Sequence, residues 1–146
     1  MRIKTISKRQ IGGVRKLWEE LNVHHLAHSS HFKDLFSRLS FDKRMSCLIK
    51  RERFVAYLAE DNHEPVGYCI ATVNCGNGEL DSLFVDKAYR KKGLGKALVS
   101  LALQWLEKQN CEAMLVYIAE GNENVLDFYR KFGFAERFVV MQKRNV

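Results

Sequence analysis

Apolar and polar residues in the first third of the chain follow two different periods. The opening segment RIKTI alternates apolar and polar residues, which predicts a short strand. From Lys8 to Leu26 the apolar residues recur at helical spacing, which predicts an amphipathic helix. A less regular helical stretch runs from about His31 to Ile49. The chain is therefore predicted to begin with a strand followed by a pair of helices.

The middle of the chain has the pattern of neighbouring strands. Residues Phe54 to Glu60 and Val66 to Val73 are rich in apolar and aromatic residues, and the turn-forming segment DNHEP joins them. The segment GNGELDSLFVD adds another turn and another strand. Consecutive strands joined by short turns predict an antiparallel meander.

The last third contains the clearest helical pattern. The segment EAMLVYIA predicts a strand buried on both faces, and NENVLDFYRKFGF a short helix that ends at Gly133. FAERFVVMQK alternates and predicts a closing strand. The apolar stripe of the long helix before them consists of Leu94, Ala97, Leu98, Leu101, Ala102, Trp105 and Leu106.

These elements predict an α/β protein with a mixed sheet, in the order β-α-α-β-β-β-α-β-α-β. A meander followed by β-α-β requires one parallel strand pair joined by a helical crossover. Residues 1–146 have the length of one ordinary domain, and we expect a single domain. Ligands of such sheets bind near the ends of parallel strands, and the turn before the long helix lies at such an end.

Charge points to an anionic ligand. Lys and Arg total 24 against 17 Asp and Glu, which gives a net charge of +7. Such a surplus favours partners with phosphate or carboxylate groups, although solubility alone would also explain it. The basic residues crowd around one glycine turn, at Lys87, Arg90, Lys91, Lys92 and Lys96.

The cysteines and the N-terminal segment indicate a reduced compartment. Cys47, Cys69, Cys75 and Cys111 form neither a CxxC pair nor the spacing of a zinc knuckle. The segment MRIKTISKRQIGG lacks an apolar signal region, and no run approaches the ~20 apolar residues that a membrane span needs. We therefore expect a cytoplasmic protein with no membrane partner.

The turn from Arg90 to Gly95 is suited to a phosphate group. Its glycines let the backbone approach a ligand, and the helix that follows offers N–H donors without intrahelical partners. The Walker pattern fails because Arg90 replaces its first glycine and Ala97 its hydroxyl residue. The dinucleotide pattern GxGxxG fails because Leu98 replaces its third glycine.

The segment VDKAYRKKGLGKALV resembles the acyl-CoA-binding motif of the GNAT superfamily of N-acetyltransferases. That motif reads Gln or Arg, two residues, Gly, any residue, then Gly or Ala. The order of elements also matches that fold, and NENVLDFYRKFGF resembles the family's second signature, with Val125 where Ala is more usual.

The resemblance implies acetyl-CoA as co-substrate and assigns residues to it. The backbone of Leu83, Phe84 and Val85 would pair with the pantetheine arm, and Asn122 would reach the same arm. Tyr129 would lie beside the sulfur. The diphosphate would rest on Arg90, Lys91, Lys92, Gly93, Leu94, Gly95 and Lys96.

The implied reaction is direct attack of a primary amine on the thioester, without an acyl-enzyme. Tyr129 is the candidate acid that protonates the leaving thiolate. Glu79 is the first candidate base and Asp81 the second, with water as a further possibility. Strand alternation predicts that both carboxylates share one face of the strand with Leu83 and Val85.

Several interpretations stay open beside this one. The histidines His24, His25, His28 and His31 have no carboxylate at matching spacing, so no metal is expected, and the resemblance places them near the acceptor. Nucleic-acid binding is disfavoured because aromatic platforms are missing. A non-catalytic acyl-CoA sensor of the same fold is the alternative function. The acceptor, and whether the protein is a monomer or a homodimer, cannot be read from these residues.

Overall fold

A computed structural model describes residues 1–144. The strands are β1 (Arg2–Ile6), β2 (Arg53–Asp61), β3 (Glu64–Asn74), β4 (Asn77–Val85) and β5 (Ala113–Val116). The helices are α1 (Arg15–His28), α2 (Lys33–Ser37), α3 (Phe41–Ile49), α4 (Leu94–Glu107) and α5 (Leu126–Arg130). Short 3₁₀ turns occupy Lys8–Val14, Lys87–Tyr89 and Glu123–Val125.

The five strands form one mixed sheet in the order β1-β2-β3-β4-β5. The first four pair antiparallel with their neighbours, and β5 pairs parallel with β4. The chain between these parallel strands contains α4, as a crossover requires. The predicted α/β class, the antiparallel meander and the parallel pair are therefore confirmed.

The chain groups into two compact units, Met1–Leu21 with Ser40–Tyr117, and Asn22–Leu39 with the residues from Ile118 onward. In the first unit the first half of α1, up to Leu21, and α3 pack on the sheet around Trp18 and Phe41, whose rings meet edge to face at 5.8 Å. The buried apolar cluster there comprises Ile6, Val14, Leu17, Trp18, Phe41, Met45, Leu48, Ala56, Leu58, Tyr68, Ile70 and Phe84.

The predicted apolar stripe of α4 faces the sheet in most of its positions. Leu94, Leu98, Ala102 and Leu106 are buried, whereas Ala97 is exposed. Gly67 on β3 lies directly beneath Leu94 and Leu98, where a Cβ would come within 3.3 Å of both side chains. The missing side chain lets this helix pack closely on β3.

The helical segments differ in detail from the prediction. The stretch from Lys8 begins as a 3₁₀ turn, and α1 starts only at Arg15, since Gly12 and Gly13 disfavour α-helix. The second stretch divides into α2 and α3, because the Ser40 hydroxyl accepts a hydrogen bond from the Lys43 N–H and caps a new helix.

The predicted closing strand is not formed. Residues 135–144 have no regular secondary structure, and the apolar side chains there are exposed, from 77% at Phe138 to 91% at Met141. Strand β5 is also shorter than expected, and its residues are half-buried rather than buried on both faces. Alternation describes which residues could share a sheet face, but a strand also needs a pairing neighbour.

Candidate functional site

The turn before α4 has the backbone geometry of an anion-binding nest. Gly93 caps the helix with φ +83°, and Lys91 has φ +62°. The helical ladder begins with the Ala97 N–H donating to the Gly93 carbonyl at 3.0 Å. The N–H groups of the three residues before Ala97 therefore precede the ladder and lie at the positive end of the helix dipole.

The basic side chains of this turn differ in their contacts. Arg90 donates from Nε to the Val85 carbonyl at 2.8 Å, and its guanidinium lies 5.2 Å from the centre of the Phe84 ring. Lys92 lies over the Tyr89 ring at 5.8 Å, and Lys91 and Lys92 are exposed. Arg90 thus attaches the turn to the end of β4, while the lysines face solvent.

Strand β4 is paired along its whole length on only one side. Strand β3 pairs with it up to Val85, whereas β5 pairs only from Asn77 to Leu80. In the part of the chain that the structure describes, residues 81–85 of β4 therefore have no strand on the β5 side. This open edge contains Leu83, Phe84 and Val85 and leads directly to the glycine turn.

A β-bulge in β4 changes the predicted faces of the strand. The register shifts between Ile70, which faces Ser82, and Ala71, which faces Leu80, so Asp81 is the extra residue. Glu79 lies opposite Thr72, and Leu83 opposite Cys69. Thr72 and Cys69 are an odd number of residues apart and point to opposite faces of β3.

The expectation that both carboxylates share a face with Leu83 and Val85 is therefore wrong. Simple alternation fails at the bulge, which adds one residue and reverses the parity of the strand. Glu79 and Asp81 lie instead on the Thr72 face, as their shared contact with Arg51 shows.

The structure brings Glu79 and Asp81 together around one guanidinium. Arg51 follows α3, and its Nη1 lies 2.8 Å from Asp81 Oδ1, 3.2 Å from Glu79 Oε1 and 3.0 Å from Thr72 Oγ1. The Asp81 side chain is fully buried, while that of Glu79 is 17% exposed. Burial, together with the neighbouring Glu79 carboxylate, raises the pKa of Asp81 to about 7.

In the second unit, Asn122 precedes the short helix α5 and Tyr129 lies within it. Asn122 is half-buried at the start of the turn Glu123–Val125, and its N–H donates to the Ala119 carbonyl at 3.0 Å. The Tyr129 ring is 8% exposed and packs edge to face against Phe128 and Phe134. Both residues are thus ordered by local packing.

Glu120 forms hydrogen bonds between two segments of the second unit, its own and that of residues 29–31. Its carboxylate accepts from the Ser29 hydroxyl at 2.5 Å, the Ser30 N–H at 2.8 Å and the His31 N–H at 3.3 Å. These donors stabilise the charged form and lower the pKa of Glu120. The contact fixes the histidine-rich segment next to the chain that leads into Asn122.

The histidines make contacts with one another and with nearby aromatic and basic groups. The rings of His24 and His28 stack at 4.1 Å, and His25 lies 5.5 Å from Phe36. Burial and the neighbouring histidines lower the pKa of His25. His31 Nδ1 lies 3.2 Å from Arg144. Within residues 1–144, no group of histidine, cysteine and acidic side chains is arranged to hold a metal ion.

Arg51, Thr72 and Glu120 were missed by sequence reasoning. Arg51 is a single basic residue after a helix, and its partners lie 21 to 30 positions away. Glu120 immediately precedes Gly121 and Asn122, but its partners lie about ninety positions earlier. No local pattern links such residues, so only the pairing of strands and segments could reveal them.

The described residues also contain no helix that is long and apolar enough to span a membrane.

Sequence comparison places these features in a known family. The model of the acetyltransferase (GNAT) family matches residues 16–134. An uncharacterized N-acetyltransferase of Methanocaldococcus jannaschii is 28% identical over 100 residues, which are 64% of this chain and 44% of that protein. The ribosomal protein bS18-alanine N-acetyltransferase of Escherichia coli is 26% identical over 85 residues, 58% of this chain and 57% of that one. The chain spans about half the length of these curated relatives.

Comparison with solved structures finds the same fold in acetyltransferases. The aminoglycoside N-acetyltransferase AAC(6')-Iy in complex with CoA superposes with a TM-score of 0.68 at 16% identity, covering 99% of this chain and 100% of that one. The family model spans both the β4-to-α4 turn and the segment from Asn122 to Phe134. The chain therefore belongs to the acetyltransferase (GNAT) family.

Proposed function

We propose that this protein is an acetyl-CoA-dependent N-acetyltransferase that transfers the acetyl group to a primary amine. The observation that carries the proposal is the open edge of β4 at residues 81–85, which leads into the glycine turn before α4. A strand edge and an anion-binding nest, one directly after the other, match the two parts of CoA, an amide-containing arm and a diphosphate.

The residues present fit this co-substrate. Among the described residues, the backbone from Leu83 to Val85 pairs with no strand on the β5 side, and the Val85 carbonyl accepts a hydrogen bond from Arg90. The pantetheine arm contains amides that can pair with such an edge. At the turn, a Cβ built on Gly93 would meet no atom within 4 Å, so the approach to the nest is open. The exposed Lys91 and Lys92 add charge at that approach.

The chemistry needs a neutral amine, a polarised thioester and a proton for the leaving thiolate. Acetyl-CoA supplies the activated acetyl group when it is bound. Glu79 takes the proton of the incoming ammonium group, since its carboxylate reaches the surface whereas that of Asp81 does not. The amine nitrogen then bonds to the carbonyl carbon as the C–S bond breaks. Tyr129 donates its phenolic proton to the thiolate, and the second proton that the nitrogen loses as the amide forms passes through solvent to the Tyr129 phenolate.

The acceptor class does not follow from the family, because the relatives act on unlike amines. One is named for an alanine of a ribosomal protein and another for aminoglycosides. The test is therefore a panel of amines, measured by release of the CoA thiol. Spermidine, kanamycin, a peptide beginning with alanine and a peptide containing lysine cover the main classes.

We expect at least one of these amines to release thiol faster than buffer alone.

In Tyr129→Phe, kcat should fall by about 10²–10⁴-fold, the usual contribution of a general acid, while CoA binding measured by calorimetry is retained. Tyr117→Phe is the matched control, because Tyr117 is an exposed tyrosine, and it should keep the wild-type kcat. Unchanged kcat in Tyr129→Phe removes the acid assignment. CoA binding without turnover on the whole panel would favour the acyl-CoA sensor.

A further inference from the structure

The cluster of Arg51, Glu79 and Asp81 contains two carboxylates for one guanidinium, whereas a structural ion pair has one of each. One guanidinium faces two carboxylates at the bulge of β4, so ionising both leaves a net negative charge in a largely buried place. The second oxygen of Asp81, Oδ2, is buried and has no hydrogen-bond partner among residues 1–144. A buried, unpaired carboxylate oxygen is costly when charged and far less so when it holds a proton.

The two carboxylates differ in access. Asp81 is fully buried, whereas Glu79 is 17% exposed and Arg51 26% exposed. A substrate amine can therefore meet Glu79 but not Asp81. Arg51 contacts both acids through the same Nη1 atom, so the two carboxylates lie close together. Any change of charge on Asp81 therefore changes the electrostatic potential at Glu79.

We propose that Asp81 and Arg51 are positioning residues for Glu79: Arg51 fixes the Glu79 carboxylate, and Asp81 holds a buried proton whose loss makes Glu79 a stronger proton acceptor. The proposal rests on the proposed acetyltransferase function. When the Asp81 proton leaves to solvent, a second negative charge appears beside Glu79, which then binds the proton of the substrate ammonium more tightly. No covalent bond changes in this step other than the O–H bond of Asp81.

The groups that face Asp81 are consistent with this role. Glu79 lies on its own strand, Arg51 follows α3, and Thr72 and Cys69 lie on β3. Burial, with a smaller contribution from Asp81, raises the pKa of Cys69 to about 12, so this thiol remains neutral while Asp81 titrates. The Asp81 carboxyl has a pKa of about 7, raised first by burial and then by Glu79, and lowered by Thr72 and Arg51.

The first test follows folding stability and needs neither acetyl-CoA nor an acceptor. Because the pKa of Asp81 is raised on folding, the folded protein binds more protons than the unfolded chain between the two pKa values. Its contribution to stability is therefore full below the unfolded pKa, about 4, and is lost as the pH rises to about 7. Urea unfolding should show this loss in the wild type and not in Asp81→Asn.

The second test follows kcat/KM with pH, using the amine of the panel that releases thiol fastest. Dividing the wild-type value by that of Asp81→Asn at each pH cancels the ionisation of the amine. The ratio should rise through a transition near pH 7 and reach about tenfold at alkaline pH. Arg51→Met should move the transition to higher pH, whereas Arg51→Lys, which keeps the charge, should leave it nearly in place.

Asp42→Asn is the matched control, because Asp42 forms an exposed ion pair with Arg15. It should match the wild type in both tests. A flat ratio of kcat/KM, or the same loss of stability in Asp81→Asn as in the wild type, would overturn the proposal. A wild type that turns over no amine would refute the proposed function instead, while the stability test would still decide whether Asp81 holds the proton.

Discussion

Gly121 lies against the backbone of His28 and Ser29, within the second unit. Its φ of +92° is in the left-handed region, and a Cβ at this position would collide with the carbonyl of His28. The neighbouring Glu120 binds Ser29, Ser30 and His31 by hydrogen bonds. The absence of a side chain at one residue therefore allows the backbone contact on which this carboxylate depends.

We expect Gly121→Ala to destabilise the protein by about 3 kcal/mol or more, because it adds a backbone clash to the left-handed strain of about 1–2 kcal/mol. Gly133→Ala is the matched control, since Gly133 has the same φ of +92° and open space around its Cβ position. Urea unfolding measures both variants. Equal losses of stability would show that conformation alone, and not the contact with His28, requires glycine at position 121.

Single residues also show where reading the sequence succeeds and where it fails. Glu79 and Asp81 can be selected as candidate acids from their places on a strand, but their proximity to Arg51 depends on contacts over 28 and 30 positions. The roles assigned to Tyr129 and Asn122 come from the resemblance to the family and remain predictions.

At the scale of elements, the strand β4, the turn and α4 form one continuous unit. Arg90 binds the last carbonyl of β4, Gly93 caps α4, and the Asp86 N–H donates to the Val66 carbonyl on β3 at 2.8 Å. These contacts fix where the helix N-terminus lies relative to the open strand edge. The turn is therefore placed by hydrogen bonds to the backbone rather than by its lysines.

Reversing charge at this turn should weaken CoA binding more than folding, although Arg90→Glu also removes the hydrogen bond to the Val85 carbonyl and so lowers stability. We expect Arg90→Glu with Lys92→Glu to raise the Kd for CoA by at least about tenfold, since each charged hydrogen bond contributes about 1.5–3 kcal/mol and about 1.4 kcal/mol is a factor of ten. Calorimetry measures the affinity, and urea unfolding measures the stability.

The matched control for this pair is Lys16→Glu with Lys43→Glu, which changes the net charge equally at exposed positions of α1 and α3. It should bind CoA nearly as the wild type does at physiological salt, where distant surface charges are screened. A similar loss of affinity in both double variants would assign the effect to net charge, and an unchanged Kd in Arg90→Glu with Lys92→Glu would remove the diphosphate assignment.

The bulge of β4 is the element that most changes the candidate site. One additional residue reverses the alternation, so that the acids lie on the face of Thr72 with Arg51, while Leu83 and Val85 lie on the opposite face. The sequence DSLF has no glycine or proline to mark the bulge. The alternation of apolar and polar residues therefore predicts the strand correctly but places the acids on the same face as Leu83 and Val85, which is wrong. The register is set by pairing with β3 and not by the strand alone.

At the scale of the whole molecule, the four cysteines decide whether acetyl transfer could pass through an acetylated thiol or must be direct. Cys69 is buried with a raised pKa, Cys47 and Cys75 are exposed, and Cys111 is partly buried. A nucleophilic cysteine needs a thiolate, which neighbouring positive charge favours and apolar burial opposes. Burial therefore makes Cys69 unsuitable as a nucleophile, and we expect direct transfer without a covalent acyl-enzyme.

Incubation of the protein with acetyl-CoA and no amine tests this expectation. The mass of the intact protein should remain unchanged after rapid acid quenching, and on addition of an amine the product should form without an initial burst. The variants Cys75→Ser and Cys111→Ser should keep full turnover. An acetylated cysteine that disappears on addition of an amine, at the rate of turnover, would contradict direct attack.

The sequence by itself determined the order of elements up to α5, the class of fold and the glycine turn, because these depend on local periodicity and on residues close together in the chain. It did not determine the fate of residues 135–144, whose alternation predicts a strand but whose pairing depends on the rest of the fold. Only the tertiary structure decided the bulge, the open edge of β4 and the grouping of Arg51 with two acids. These features arise where distant segments meet, and burial at that meeting point, not spacing along the chain, gives the carboxylates their chemistry.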